Sequence, residues 1–368
     1  MKSAFAFVAC IFFLLLQEAP AQEYKFRVSV YANVTTAAPE KIPYDRIDGL
    51  VLAFINPVDD CSGFSVTNFP WVQDVVSRAR KQEANGRKIT VTFSIGGGGN
   101  ETTNQRFESI ASSEECRNQF AGQVAKILTE NDLDGVNLDW EFPKSSSLGD
   151  YTLLIKTLRE SIKTKILSIA IYDDSGKEDA SGRLTGDVFP FVDYYMVMAY
   201  LGPRNDAIRG WINSPWKLPK SKLRLGLAFF GNPDKGEPMG YNKLLGSVPA
   251  AQVNPCGDQV GKFKINGLRT TRELTRFAMT EKLGGITAWE LGQDRPDSIS
   301  LLNAASETSR MWENFKEWQP GTTYSVGTVI RNRGNLWLVN SSAPSAQPEP
   351  SPANSAFKQI EVMRNAGL

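Results

Sequence analysis

Eight short runs of apolar residues, each followed by a long helical or irregular segment, constrain this chain more than any other feature. The runs are 26–30, 49–55, 88–95, 134–143, 165–172, 192–200, 223–230 and 285–289. Several, such as Gly-Leu-Val-Leu-Ala-Phe-Ile at 49–55, are apolar throughout, the pattern of strands buried on both faces. Between them the periodicity predicts helices over 71–83, 106–130, 151–164 and 270–282. Parallel strands need crossovers of this length, so the economical architecture is α/β, a (β/α)8 TIM barrel over residues 22–305. A doubly wound open sheet is the alternative.

The fourth run, Asp134-Gly135-Val136-Asn137-Leu138-Asp139-Trp140-Glu141-Phe142-Pro143, carries acidic or amide side chains at alternate positions. Side chains two apart share a strand face. Asn137, Asp139 and Glu141 therefore project together, Val136, Leu138 and Trp140 face the other way, and Asp134 stands ahead of them beside a glycine. A solvated strand face would look similar, but strands disfavour Asp and Glu, and the flanking positions are apolar. Carboxylates held this close share protons and separate their pKa values, which suits general acid chemistry. In a barrel, ligands gather at the C-terminal ends of the strands. Those ends carry Phe54, Ser94 with Gly96 and Gly97, Asp139 with Glu141, Met198 with Tyr200, and Trp289. Such a mouth suits a sugar, whose ring stacks on aromatic faces while its hydroxyls bond to acidic groups. The run Gly96-Gly97-Gly98-Gly99 has a phosphate-cradle reading, but no Gly-Lys-Ser/Thr follows it, and a sharp turn at a strand end accounts for it.

The charge balance, 41 basic against 40 acidic residues, gives a net charge of +1 and nothing to draw nucleic acid or an anionic membrane. Histidine is absent, which excludes Ser-His-Asp and Cys-His catalysis and histidine-bound zinc. Carboxylates remain as the acid/base groups, and neither metal nor cofactor is expected. Met1-Lys2, an apolar run from Ala4 to Leu16, and Ala19-Pro20-Ala21 together form a secretory signal too short to span a bilayer. Cleavage is expected after Ala21, with an extracellular destination. Cys10 leaves with the signal, so Cys61, Cys116 and Cys256 remain in an oxidising compartment. One pair, Cys61 with Cys116, plus a free thiol is one reading, and three buried thiols the other. Asn33-Val34-Thr35, Asn100-Glu101-Thr102 and Asn340-Ser341-Ser342 fit the glycosylation pattern of a eukaryotic host.

The fourth run resembles the catalytic signature of glycoside hydrolase family 18, the chitinases and their relatives. Phe93-Ser94-Ile95-Gly96-Gly97 is similar to that family's third-strand motif, Lys222 to Gly231 to its seventh strand, and Gly284-Gly285-Ile286-Thr287-Ala288-Trp289 to its eighth. The resemblance implies retaining hydrolysis of β-1,4-linked N-acetylglucosamine by substrate assistance, an exception to the two-carboxylate scheme. It makes Glu141 the acid and later the base, Asp139 the partner of the substrate acetamido group, Tyr200 a donor to the acetamide carbonyl and Trp289 the floor under the distorted sugar. Phe54, Ser94, Asp134 and Met198 are further expected substrate-binding positions. Two departures stand out. The family has Asp where this chain has Asn137, so Asp139 is expected to lose a like-charge neighbour and titrate lower. Leu201 follows Tyr200 where the family has Asp, with Asp206 the nearest candidate replacement. Residues 232–281 contain little that reads as the small inserted domain of many chitinases, which implies a shallow groove.

Beyond residue 305 the composition changes. Residues 306–317 read as a linker and 318–362 as short strands joined by glycine turns. This segment resembles small chitin- or cellulose-binding modules of carbohydrate-binding types 5 and 12, with Trp318, Tyr324 and Trp337 at the aromatic positions and the first two expected on the surface. Thr328 and Phe357 stand where that pattern has Asp and Trp. The resemblances together imply a secreted, monomeric, endo-acting chitinase held on N-acetylglucosamine polymer by an all-β module. A non-catalytic chitin lectin and an endo-β-N-acetylglucosaminidase acting on N-glycans are the alternatives.

Overall fold

Eight strands close into a parallel barrel: β1 (Arg27–Asn33), β2 (Gly49–Ala53), β3 (Thr90–Gly96), β4 (Gly135–Asp139), β5 (Ile166–Ile171), β6 (Tyr194–Val197), β7 (Leu223–Ala228) and β12 (Gly285–Trp289). Each pairs with its sequence neighbour, and β12 closes the ring between β7 and β1. The computed structural model describes residues 25–360, apart from 36, 59–60, 62, 65–68, 100, 173–183, 185, 202–203, 214–217, 250–253, 327, 333–334, 340–348 and 354. The secretory signal expected over 1–21 lies outside the described residues, as do Asn100 and Asn340. No helix among the described residues is long and apolar enough to cross a membrane.

All eight expected strands form, and alternation assigns their faces. Val28, Val30, Leu50, Leu52, Val91, Phe93, Val136 and Leu138 point outward into one core shared with the helices. Tyr31, Val51, Ala53, Tyr194 and Met196 fill the barrel interior. Helices α1 (Phe69–Lys81), α3 (Glu114–Glu130), α4 (Leu148–Ile162), α5 (Arg204–Asn213), α7 (Leu268–Thr280) and α8 (Leu301–Glu313) come after strands β2, β3, β4, β6, β7 and β12 in the chain. The helix expected over 106–130 is two, because α2 (Glu101–Ser112) stops at Ser113. Ser113 is extended and caps α3, its Oγ accepting the Cys116 N–H at 3.4 Å. Cys61 and Cys116 are joined by a disulfide and Cys256 is a free thiol.

An aspartate precedes β2, β4 and β6 and locks the amino-terminal pole of the barrel. Asp48, Asp134 and Asp193 accept the N–H of Val28, Val91 and Leu167 at 2.9, 2.7 and 2.8 Å, each from the preceding strand. Each also meets an arginine, Arg87 at 3.5 Å, Arg80 at 3.0 Å and Arg159 at 2.6 Å. Before β12 the position is Gly284, and the Leu223 N–H is taken by Lys220 O in a short 3-10 turn. Asp134 is therefore a strut at the pole opposite the mouth, which corrects its expected role in substrate binding. It lies five residues before Asp139, on the other strand face. Asp134→Ala should lower the unfolding free energy by roughly 2 kcal/mol, mainly by orphaning the Val91 N–H. The lost ion pair adds little, because Arg80 keeps its contacts to the Asp132 carboxylate and carbonyl. Denaturant midpoints and turnover rates check this; a loss of turnover with unchanged stability would refute it.

The segment after β7 folds more than its sequence suggests. Strands β8 (Phe230–Pro233), β9 (Met239–Gly240), β10 (Gln259–Val260) and β11 (Phe263–Lys264) form a small sheet, with α6 (Tyr241–Gly246) packed behind it. Strands of two residues carry no readable alternation, which is why the sequence shows little there. Residues 306–317, expected as a linker, belong instead to the second half of α8 and to β13 (Lys316–Glu317). β13 joins β14 (Val329–Asn332), β15 (Asn335–Val339) and β16 (Phe357–Ile360) in a four-stranded sheet. This sheet docks on the barrel core through Leu336 and Val329, and Arg331 donates to Trp312 O at 3.0 Å.

Candidate active site

The carboxyl ends of the strands surround a cleft of about 420 Å³. Its lining includes Asp139 at the end of β4 with Glu141 just beyond it, Met198 and Tyr200 after β6, Phe54 after β2 and Trp289 at the end of β12. Six of the expected site residues therefore converge. Phe54 stacks on Trp289 with ring centroids 5.4 Å apart and planes at 27°, and Tyr31 meets the same indole edge-on at 5.0 Å. The aromatic floor is thus fixed from two sides.

The glycine run at the end of β3 is explained by what it touches. A β-carbon on Gly96 would lie 1.9 Å from the Asp139 carbonyl oxygen, one on Gly97 2.5 Å from the Phe54 ring, and one on Gly98 2.9 Å from Glu141 Oε2. Gly96 and Gly97 also take positive φ, 120° and 95°, so a turn and a close approach are combined. The Gly98 N–H donates to the Glu141 carboxylate. Asn56 clasps Gly96 from both sides, and Asn104 Nδ2 donates to the Glu141 carbonyl at 2.7 Å. Backbone and side chain of Glu141 are both held.

Asp139 is almost fully buried and shares a hydrogen bond with Glu141. Burial, and then the Glu141 charge, hold the Asp139 pKa well above the ordinary carboxylate range. Burial also raises Glu141, although the Gly98 N–H and the Asp139 hydrogen bond oppose it. Asn137 spares Asp139 one like-charge neighbour, yet desolvation and Glu141 still hold it above its ordinary value. The two groups behave as one proton-sharing pair. Asp139 Oδ1 is buried and has no hydrogen-bond partner among the described residues. An acceptor in that state favours a ligand that brings an N–H or O–H.

Asn137 lies below the pair and does not join it. Its Oδ1 accepts from Ser94 Oγ at 2.8 Å and from the Tyr31 hydroxyl at 3.0 Å, and its Nδ2 donates to Ser168 Oγ at 3.1 Å. Ser94 is fully buried, so it acts through this network and not at the cleft surface. Tyr200 lines the cleft, and burial, then Asp139 and Glu141, raise its pKa well above 10, so it stays a neutral donor. Gly226 leaves room for its ring, since a β-carbon there would approach it to 3.1 Å. Asp206 is exposed on the first turn of α5 and is not among the cleft-lining residues, so it does not replace the carboxylate absent at Leu201.

Sequence reasoning missed the wall made by Phe230, Pro238, Met239 and Gly240, and missed Gln293. Gly240 lets this wall close on Gln293, whose Cβ and Cγ lie 3.2 Å from where a β-carbon would be. Only the glycine in that segment was a signal. The aromatic residues of the small C-terminal sheet are mostly its core. Tyr324 and Trp337 are buried, 7% and 3% exposed, in a cluster with Ile330, Val339 and Phe357, and Trp318 packs against it. Tyr324 was expected on the surface; instead its hydroxyl accepts the Gln319 N–H at 2.8 Å. So small a sheet has few other large side chains from which to build an interior.

The sequence model described as Glycosyl hydrolases family 18 matches residues 27–294. A class V chitinase of Medicago truncatula is 24% identical over 331 residues, covering 72% of this chain and 84% of that protein. A chitinase from the chitin utilization locus of Flavobacterium johnsoniae has a similar structure, with a TM-score of 0.65 at 22% identity over 78% of this chain and 94% of that one. A chitinase-like agglutinin of Robinia pseudoacacia gives a TM-score of 0.64 at 20% identity, over 76% and 99%. At such identities the two structures speak for the fold.

Proposed function

The chain belongs to glycosyl hydrolases family 18, and from that premise we propose that it cleaves β-1,4 linkages between N-acetylglucosamine units with retention, by substrate assistance. The observation that carries this reading is the buried, hydrogen-bonded Asp139 and Glu141 pair beside Tyr200 and Trp289. Glu141, with its raised pKa, gives its proton to the glycosidic oxygen as the bond to C1 breaks. The acetamido oxygen of the same sugar bonds to C1, forming an oxazolinium ion. Asp139 accepts the acetamide N–H and balances the growing positive charge. The Tyr200 hydroxyl donates to the acetamide oxygen and orients it. Water then attacks C1, returns a proton to Glu141 and restores the original configuration. Asn137 is a positioning residue in this scheme: it fixes the hydroxyls beneath Asp139 without taking a proton.

The polymer is chitin or a related N-acetylglucosamine chain, cut internally, because the segment between β7 and β12 adds only a small sheet of short strands beside the cleft. Secretion rests on the Met1 to Ala21 signal, and polymer anchoring on the C-terminal sheet, where Trp318 is the most accessible of the three aromatics. A second reading, a chitin lectin, is favoured by Asn137 and Leu201 in place of carboxylates. Hydrolysis of chitin pentamer and hexamer, followed by proton NMR from acid to alkaline pH, separates the two. The β-anomer should form first, from internal cuts. Binding without turnover at any pH would leave the lectin.

A further inference from the structure

The amino-terminal pole of the barrel, opposite the cleft, holds two cations that the proposed reaction does not use. Arg27 on β1 and Arg224 on β7 both pair in register with Gly285 of the strand between them. Alternation turns both side chains inward, because Val28, Leu223 and Leu225 belong to the outer core. Gly285 puts no side chain between them. The Arg224 guanidinium lies on the Tyr194 ring, 3.5 Å from its centroid, and Nη1 donates to Ser29 Oγ at 3.0 Å. Arg224 Nε, Arg27 Nη1 and Thr287 Oγ1 are buried without a hydrogen-bond partner among the described residues. Thr287 pairs with both Ser29 and Gly226, so the three orphaned groups come from three adjacent strands. Asp48 is committed elsewhere, with Oδ2 on the Val28 N–H and Oδ1 on Arg87.

Both arginines are half-buried, and like charges whose inner N–H groups are buried and unspent are unfavourable unless an opposite charge joins them. We propose that Arg27, Arg224, Ser29 and Thr287 form a binding site for a small inorganic anion of chloride size. Every unspent group offers N–H or O–H, including the Ser29 proton that remains after its oxygen accepts from Arg224, so the site selects against cations. The Tyr194 ring already covers one face of the Arg224 guanidinium and leaves its edge, which suits a one-atom anion better than a tetrahedral one. A bound anion ties β1, β12 and β7 together where the barrel closes.

The test uses the full-length protein at constant ionic strength, with gluconate replaced stepwise by chloride. The melting temperature should rise saturably, by roughly 3 °C once chloride is about 100-fold above its dissociation constant. Crystals soaked in bromide should show an anomalous peak between the Arg27 and Arg224 guanidiniums. Arg27→Gln should lose the saturable rise with an unchanged circular dichroism spectrum. Should that variant fail to fold, Thr287→Val, which keeps the shape and removes one donor, should raise the half-saturating chloride concentration several-fold. Wild-type and variant proteins with the same chloride response, or an ordered water and no halide peak at the site, would overturn the assignment.

Discussion

Glu141→Gln should retain affinity for a chitin oligomer and lose turnover by about 10³-fold, within the span attributed to a positioned general acid. Glutamine keeps the volume and can still accept from the Gly98 N–H, so the cleft and the Asn104 contact to the backbone survive. What disappears is the proton for the glycosidic oxygen. The deficit should therefore depend on the leaving group. With an aryl leaving group of low pKa, which departs with little protonation, it should shrink to a small fraction of its value on a natural oligomer. Steady-state rates on both substrates and calorimetric binding measure this. Turnover within tenfold of wild type on the oligomer would remove Glu141 from its role. In the wild type, burial raises the Glu141 pKa, so the alkaline limb of the rate profile should lie above the ordinary carboxylate range.

Asp139→Asn should behave differently on the same two substrates. Asp139 is proposed to act on the nucleophile and not on the leaving group, so the loss, about 10²- to 10³-fold by analogy with a removed charge-stabilising group, should persist with the aryl glycoside. Stability should move the other way. The folded-state pKa of Asp139 is raised, so the native protein holds the proton more tightly than the unfolded chain. Stability is then fully present below the unfolded carboxyl pKa and is lost as pH rises through the folded one. Asparagine removes that loss, together with the repulsion from Glu141. The variant should melt higher than wild type at neutral and alkaline pH, and the gap should close in acid. A wild type that melts higher at neutral pH would contradict the buried-pair description. The two results together would show stability given up for chemistry at one carboxylate.

Much of this was legible in the sequence because barrel strands repeat a strong signal. Continuous or alternating apolar runs, separated by long helical segments, located all eight, and alternate acidic positions in the fourth singled out Asp139 and Glu141. Asp134 was misplaced, although its parity relative to Asn137 and Asp139 already assigned it to the other face. Tyr31 and Ser168 have polar atoms that meet Asn137 only after the ring closes, across 106 and 31 residues of chain. No local pattern encodes such a contact. Tyr324 failed for another reason: an aromatic in a small sheet has the same sequence signature whether it binds a ligand or fills the interior.

The aspartate locks before β2, β4 and β6 stop one short of completing the ring, and the exception falls on the strand that carries Trp289. There the chain runs Gly284-Gly285, and a β-carbon at either position would lie 2.1 Å from a neighbouring carbonyl oxygen, of Ser221 or Arg27. Three quarters of the ring are fastened by charges that homologous sequences could exchange for other polar pairs. The last quarter is fastened by the absence of atoms, which has no substitute. Sequence drift should therefore be narrowest at these two glycines, neither of which lines the cleft, and a survey of relatives would meet them as invariant for reasons of assembly and not of catalysis.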